Sequence, residues 1–427
     1  MKNIIISILL IVNALTTAGQ NRIYWVHGLN DNMHTWDVYK SSLSDSSHSG
    51  TSINWYSGDS LHRSSLALNR IIGREIAGKD RAIIFGHSAG GLIARDAAAQ
   101  TGNHIRAVIT AGTPNKGAGI VSSINNKTFN NAAKTAINKV HVSVSIGTMA
   151  IASVLPGLAK PIASLLASCF NLGSVVGKGL ADDAVEEYKK YFSGKAAVAD
   201  MNPDLSKNRF LRNLNAETPE VPIINIYGNE DNNRLVRISG TFMHKKDVDS
   251  EHNTDDKTYD ETAFKYYNGA LITCNAFEAL HYTAGLALST LSFFNPSWIQ
   301  SSVLNIAAAA SWTGTRRYIQ YDSHNEWDRA IGAVHTERIQ EKHRFLWWRW
   351  STYKYVTIYE NSDGFIPNKS SMMDEGIGPY IKNVELKGVN HLEMNSHPLM
   401  RQTLTEIYSS TKTTYSNYDW RFNPYIN

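Results

Sequence analysis

Short apolar runs and amphipathic stretches alternate along the first quarter of the chain. "NRIYWVHGLN" is a β-rich run halted by His27-Gly28, and "TSINWYSGDS" is a second short run halted by Gly58. "SLALNRIIGREIA" then places its apolar residues at helical spacing, "RAIIF" is again a strand, and "LIARDAAAQT" is helix-prone. "IRAVITAGTPNKG" is a further strand, ended by Gly112, Pro114 and Gly117. Strands that alternate with helices in this way predict a parallel sheet with helices on both faces. Three more strands of the same style follow late: Val221 to Asp231, Tyr353 to Pro367 and a closing "IKNVELKGVNHLE".

The sheet is therefore interrupted twice. The first interruption, about 119–220, is dominated by Ala, Ser, Gly, Leu and Ile with hardly a charge, and Pro156 and Pro161 break it too often for a continuous membrane span. The second, about 232–351, opens with the charged "HKKDVDSEHNTDDKTYDE" and continues through apolar, helix-like text. Both read as helical excursions covering the sheet's edge. No internal repeat or low-complexity linker separates them from the strands. One domain over 20–427 with a built-in cap is the expected organisation, since 427 residues with 42% hydrophobic content can bury one large core.

The first nineteen residues join a lysine, a short apolar core and small residues near Ala18 and Gly19, the pattern of a cleaved signal peptide. A secreted or periplasmic location follows as an expectation. Export would permit Cys169 and Cys274 to pair, although both lie in apolar text where a buried thiol serves equally. The net charge of +4 is small and scattered, so nothing resembles a nucleic-acid footprint.

Candidate chemistry centres on "FGHSAGGLIARDAA". Here Ser88 stands between Gly86 and Gly90 where a strand turns into a helix. Such a turn strains its central residue and lifts the hydroxyl to the helix N-terminus, where free backbone N–H groups favour negative charge. A serine attacks only when a base takes its proton and a third group orients that base. His391 in "VELKGVNHLE" follows the final strand, and Asp363 in "ENSDGFIP" follows the strand before it. His397 is a rival base that reads better as a helix cap. Glu230 and Asp231 rival Asp363 as the acid, because they too end a strand. Donors for a tetrahedral oxyanion are expected from the backbone N–H groups of Ala89 and Leu29.

"WVHGLN", "GHSAGGLIAR", "TAGTPNKGAG", "NSDGFIP" and "GVNHLE" together resemble the motif series of α/β-hydrolase lipases, the secreted bacterial triacylglycerol lipases in particular. The resemblance covers roughly 21–119, 221–231 and 353–409 but neither interruption. It implies an α/β-hydrolase fold, a mostly parallel central sheet with helical cap or lid insertions. It also implies a triad of Ser88, Asp363 and His391 with an oxyanion hole at Leu29 and Ala89. The family's Gly-Thr-Pro turn usually continues with histidine; here Asn115 stands in that place.

Three further readings concern the interruptions. The apolar first one suits either a lid that opens at a lipid surface or a permanently buried cap. The run "HRFLWWRWSTYKY" suits a hairpin packed on the cap or a transient contact with a lipid surface. Asp247, Asp249, Glu251, Asp255 and Asp256 offer oxygen ligands for calcium, but the interleaved lysines favour a solvated loop. No cofactor is therefore expected to be required. The functional expectation is a serine hydrolase acting on carboxylic esters of lipids or small molecules. Acyl transfer by the same residues and non-catalytic lipid binding are the alternatives. Oligomeric state is not legible.

Overall fold

The computed structural model describes residues 22–41, 50–76, 81–100, 104–125, 192, 194–230, 234, 258–292, 295–376, 380–412 and 417–425. The leader, Cys169, most of the first interruption, Asp231 and the acidic cluster from Asp247 to Asp256 lie outside the described residues. Six strands form one parallel sheet: β1 (Arg22–Val26), β2 (Thr51–Ile53), β3 (Ala82–His87), β4 (Ile105–Ala111), β5 (Ile223–Asn229) and β8 (Ile381–Lys387). Their spatial order is β2-β1-β3-β4-β5-β8. All of them were legible as apolar runs halted by glycine or a polar turn.

Burial on both faces explains the unbroken apolar text of the central strands. Tyr24, Val26 and Ile84 face one way, packed with Leu68 and Ile72 of α1 (Leu61–Glu75) and Leu92 and Ile93 of α2 (Ala89–Ala99). Ile23, Trp25 and Phe85 face the other way, against Trp36, Tyr39 and Leu404 and Tyr408 of the C-terminal helix Pro398–Tyr408. α1 starts where the Ser60 side chain accepts from the N–H of Arg63, and its buried positions 61, 64, 65, 68 and 72 keep the helical period. α2 lies so close to the sheet that a β-carbon on Gly90 would collide with the carbonyls of Val26 and His27, and one on Gly86 with the backbone of Gly90 and Gly91. The glycines around Ser88 are thus a packing requirement.

The interruptions depart from expectation in one respect. Tyr353 to Pro367 was expected to supply a strand to the main sheet. Instead β6 (Val334–Phe345) and β7 (Trp348–Tyr359) pair antiparallel as a separate two-stranded sheet, from Val334 with Tyr359 to Phe345 with Trp348. Only Leu346 and Trp347 separate the two strands, and so short a connection favours the sequential neighbour over a distant sheet edge. The second interruption therefore ends in a hairpin and is only partly helical. Its helical part comprises Thr258–Leu291, Trp298–Arg317 and Ser323–Ile331. Phe277 and Trp312 stack between the first two at 5.0 Å.

The third of these helices fastens the interruption to the sheet's carboxyl end. The Trp327 indole N–H donates to the Gly364 carbonyl at 2.8 Å, and Arg234 pairs with Asp328 at 3.0 Å. Burial, reinforced by the Arg234 guanidinium, pushes the neighbouring His324 imidazole down to about 4.

Candidate active site

Ser88 occupies the corner between β3 and α2 with φ 53° and ψ −125°, a conformation that non-glycine residues rarely adopt. The strain is held from two sides. Its N–H donates to the Ala111 carbonyl at 2.8 Å, and its own carbonyl accepts from Gly91 at 3.0 Å. The hydroxyl is thereby carried above the carboxyl edge of the sheet, at the start of a buried helix.

The structure brings His391 and Asp363 to that hydroxyl. His391 Nε2 lies 3.0 Å from Ser88 Oγ, and His391 Nδ1 lies 2.7 Å from Asp363 Oδ2. Asp363 and His391 are both buried. The second oxygen of Asp363 accepts from the N–H groups of Phe365 and Ile366 at 2.9 and 2.6 Å. With these bonds its orientation is set by backbone, leaving one oxygen for the imidazole. The Asp363 carbonyl also accepts the His391 N–H at 2.8 Å, so the acid turn and the histidine loop are locked to each other.

Asp363 reaches this position by an unexpected route. It was expected in the sheet, on the strand before the histidine. In fact the chain leaves β5 at Glu230 and returns at Ser362, whose carbonyl accepts the Glu230 N–H at 2.8 Å. The acid therefore stands at the end of β5, and the interruption is inserted between a strand and its own turn. Glu230 is buried at the same corner, where its backbone carbonyl accepts from Arg234, and the hydrogen bond with His391 is made by Asp363. His397 sits at the start of the helix Pro398–Tyr408 and its ring nitrogen accepts from the Leu399 N–H at 3.2 Å, as a cap.

The loop after β1 lies against the serine: a β-carbon on Gly28 would stand 3.2 Å from that of Ser88. Leu29 and Ser88 line one cleft of about 550 Å³, measured with its open mouth, and Ala89 opens the helix behind it. Ala118, Ile120, Phe192, Met201 and Phe365 are among the apolar residues of its wall. The lining is apolar apart from the serine and histidines and Asp31 at the loop. Among the described residues no cluster of histidine, cysteine and carboxylate side chains could hold a metal ion.

Several supporting residues went unread in the sequence. His87 is buried, its ring 4.9 Å from that of His391, and its Nε2 donates to the His391 carbonyl at 2.9 Å. Asn390 accepts from the N–H groups of Leu392 and Glu393, at 3.0 Å each, closing the histidine loop as a small cap. Asn115, which replaces the histidine of the resembled turn, accepts from Arg95 at 2.9 Å and donates to Asn225 at 2.9 Å and to the Ser371 carbonyl at 2.6 Å. It ties α2, β5 and the segment after the acid turn together beneath the site. An asparagine inside the apolar run "PIINIYG" was the signal for this network, because a buried amide needs partners.

A family model described as the alpha/beta hydrolase fold matches residues 8–232. Among solved structures the chain is similar to the mature form of Bacillus licheniformis lipase BlEst2, at 11% identity and a TM-score of 0.38, covering 91% of each chain. It is also similar to a lipase-esterase related protein from Clostridium acetobutylicum, at 14% identity and a TM-score of 0.23, covering 49% of this chain and 75% of that one. An epoxide hydrolase from Bacillus megaterium is similar at 14% identity and a TM-score of 0.25, covering 50% and 78%. No curated protein matches. The matched 8–232 span more than half of the 427 residues and include the strained serine corner and β1 to β5, so the chain belongs to the α/β-hydrolase family.

Proposed function

We propose that this hydrolase cleaves carboxylic esters through an acyl-enzyme on Ser88, with lipid acyl esters as the preferred class. The observation that carries the reading is the continuous relay from Ser88 Oγ to His391 at 3.0 Å and from His391 to Asp363 at 2.7 Å. In this reading His391 takes the serine proton as Ser88 Oγ attacks the carbonyl carbon. It returns that proton to the leaving alkoxide, and the acyl-enzyme forms. Water then attacks the acyl-enzyme carbonyl, giving a proton to His391, which passes it to Ser88 Oγ as the acyl–oxygen bond breaks and the acid leaves. Asp363 holds the imidazole with Nδ1–H toward itself and stabilises the charged form. The backbone N–H groups of Leu29 and Ala89 receive the oxyanion, a role in which one donor is worth about a hundredfold or more in rate.

The apolar wall of Ala118, Ile120, Phe192 and Met201 favours an acyl chain over a charged one. The leader-like N-terminus supports, as part of this proposal, a location outside the cytoplasm, where lipid esters occur as surfaces as well as monomers. The test is turnover of p-nitrophenyl esters from short to long acyl chains, with Ser88→Ala as control and fluorophosphonate labelling of the serine. Serine-dependent turnover that rises with chain length supports the proposal. Labelling without ester turnover would move the assignment to acyl transfer, and no labelling would end it.

A further inference from the structure

The hairpin β6–β7 carries its apolar residues into solvent. Phe345, Leu346, Trp347 and Trp348 form its tip and are 68, 63, 82 and 74% exposed. Two-stranded sheets normally cover one face, and a long uncovered one is a site for association. The turn adds a second oddity. Leu346 has φ 51°, a conformation that glycine adopts freely in two-residue hairpin turns and leucine does not. A bulky apolar side chain has thus been placed at the tip against local preference.

Charge along the hairpin is sorted by distance from the tip. From Lys342 to Tyr359 there is no acidic residue, while Lys342, Arg344, Arg349 and Lys354 supply cations. The acids stand behind Lys342, Arg344 and Arg349: Glu341 pairs with Lys354, which lies two positions nearer the base, at 3.7 Å, and Glu337 and Glu360 share Lys369 at 3.6 and 3.1 Å. The sequence from tip to base is apolar and aromatic, then cationic, then charge-balanced. This is the order of environments met on leaving the interior of an anionic lipid surface. A second copy of the chain is the poorer occupant, since two tips brought together would oppose Arg344 and Arg349 of each without an acid between them.

We propose that the β6–β7 tip docks on lipid surfaces bearing anionic headgroups, with Phe345, Leu346, Trp347 and Trp348 entering the interface and Arg344 and Arg349 meeting the headgroups. Twelve residues per strand give the hairpin a reach of about 40 Å. Its base adjoins the acid turn, where the Glu360 N–H donates to the Ala333 carbonyl at 2.8 Å, so docking holds the catalytic corner within that distance of the surface. The proposal does not depend on Ser88 being a nucleophile.

The test is co-sedimentation of the full chain carrying Ser88→Ala with vesicles of phosphatidylcholine alone and of phosphatidylcholine with phosphatidylglycerol. Binding is expected to the anionic vesicles and to weaken as salt rises. Trp347→Ala with Trp348→Ala should lower it about tenfold, and Arg344→Gln and Arg349→Gln about fivefold each. Brominated lipid should quench tryptophan emission of the parent more than that of the double variant. The tip variants should keep the parent's circular dichroism spectrum and thermal unfolding midpoint, which shows that they fold. No binding to anionic vesicles, or binding that the tip variants leave intact, overturns the proposal. So does a parent that is dimeric by light scattering and becomes monomeric on removing the tip tryptophans.

Discussion

β3 and β7 are both β-rich runs, and they end in opposite environments. Every residue of β3, Ala82–His87, is buried, whereas β7, Trp348–Tyr359, is exposed along most of its length. The difference lies in which side chains repeat. β3 is unbroken by any polar residue from Ala82 to Gly86, with His87 only at its end, so both faces must be covered and a helix is laid on each. β7 alternates aromatic residues with Arg, Ser, Thr and Lys, which tolerate water on one face and half tolerate it on the other. A strand's apolar content thus says less about its burial than whether any polar residue breaks it.

The comparison is broken most sharply at the end of β3. Ser88→Ala should lower ester turnover by about a millionfold and Asp363→Asn by about ten-thousandfold, with the fold retained by circular dichroism. The same Asn substitution at Asp231 should leave turnover within a few fold; a loss of the Asp363 size there would transfer the acid's role. Stability comes next. Ile84→Ala removes a fully buried side chain between the sheet and its helices and should cost about 3–4 kcal/mol in denaturant unfolding. A cost under about 1 kcal/mol would mean that the sheet is covered less firmly than its burial implies.

A pH measurement sharpens the contrast at the join between sheet and interruption. His324 is held at about 4 in the folded chain, below its ordinary value near 6.5, by burial and by the Arg234 guanidinium. The unfolded chain therefore binds a proton that the folded chain refuses between these values, and stability falls as pH drops from about 6.5 to about 4. The contribution is on the order of 3 kcal/mol, and His324→Gln should flatten the slope of stability against pH in that window. An unchanged slope would assign the acid sensitivity to other groups. The smallest effect belongs to the hairpin: Tyr355→Thr, at a position 71% exposed, should change unfolding free energy by less than about 0.5 kcal/mol.

The four inner strands β1, β3, β4 and β5 were readable because parallel strands buried on both faces leave an apolar run, and the edge strands β2 and β8 from the glycine that halts each run. Ser88 and His391 were readable because glycine spacing and chain order constrain them. The pairing partner of β7 was not, since its residues suit a sheet edge and a hairpin equally well until the two-residue turn is weighed. His87, Asn115 and Asn390 were also unread as supports. Each acts through a partner far away in sequence, such as Asn115 through Asn225 and Ser371, and one polar residue in a run does not name its partner.

The sequence by itself determined the parallel sheet, the strained serine at its corner and the presence of a histidine and an acid after late strands, because periodicity and turn chemistry are local properties. Only the tertiary structure decided that Asp363 rather than Glu230 faces His391, and that the acid turn belongs to β5 across the whole second interruption. It alone decided, too, that the aromatic hairpin stands in water. Those outcomes depend on which surfaces meet after the chain has closed on itself, and contacts of that kind leave no spacing in the sequence to be read.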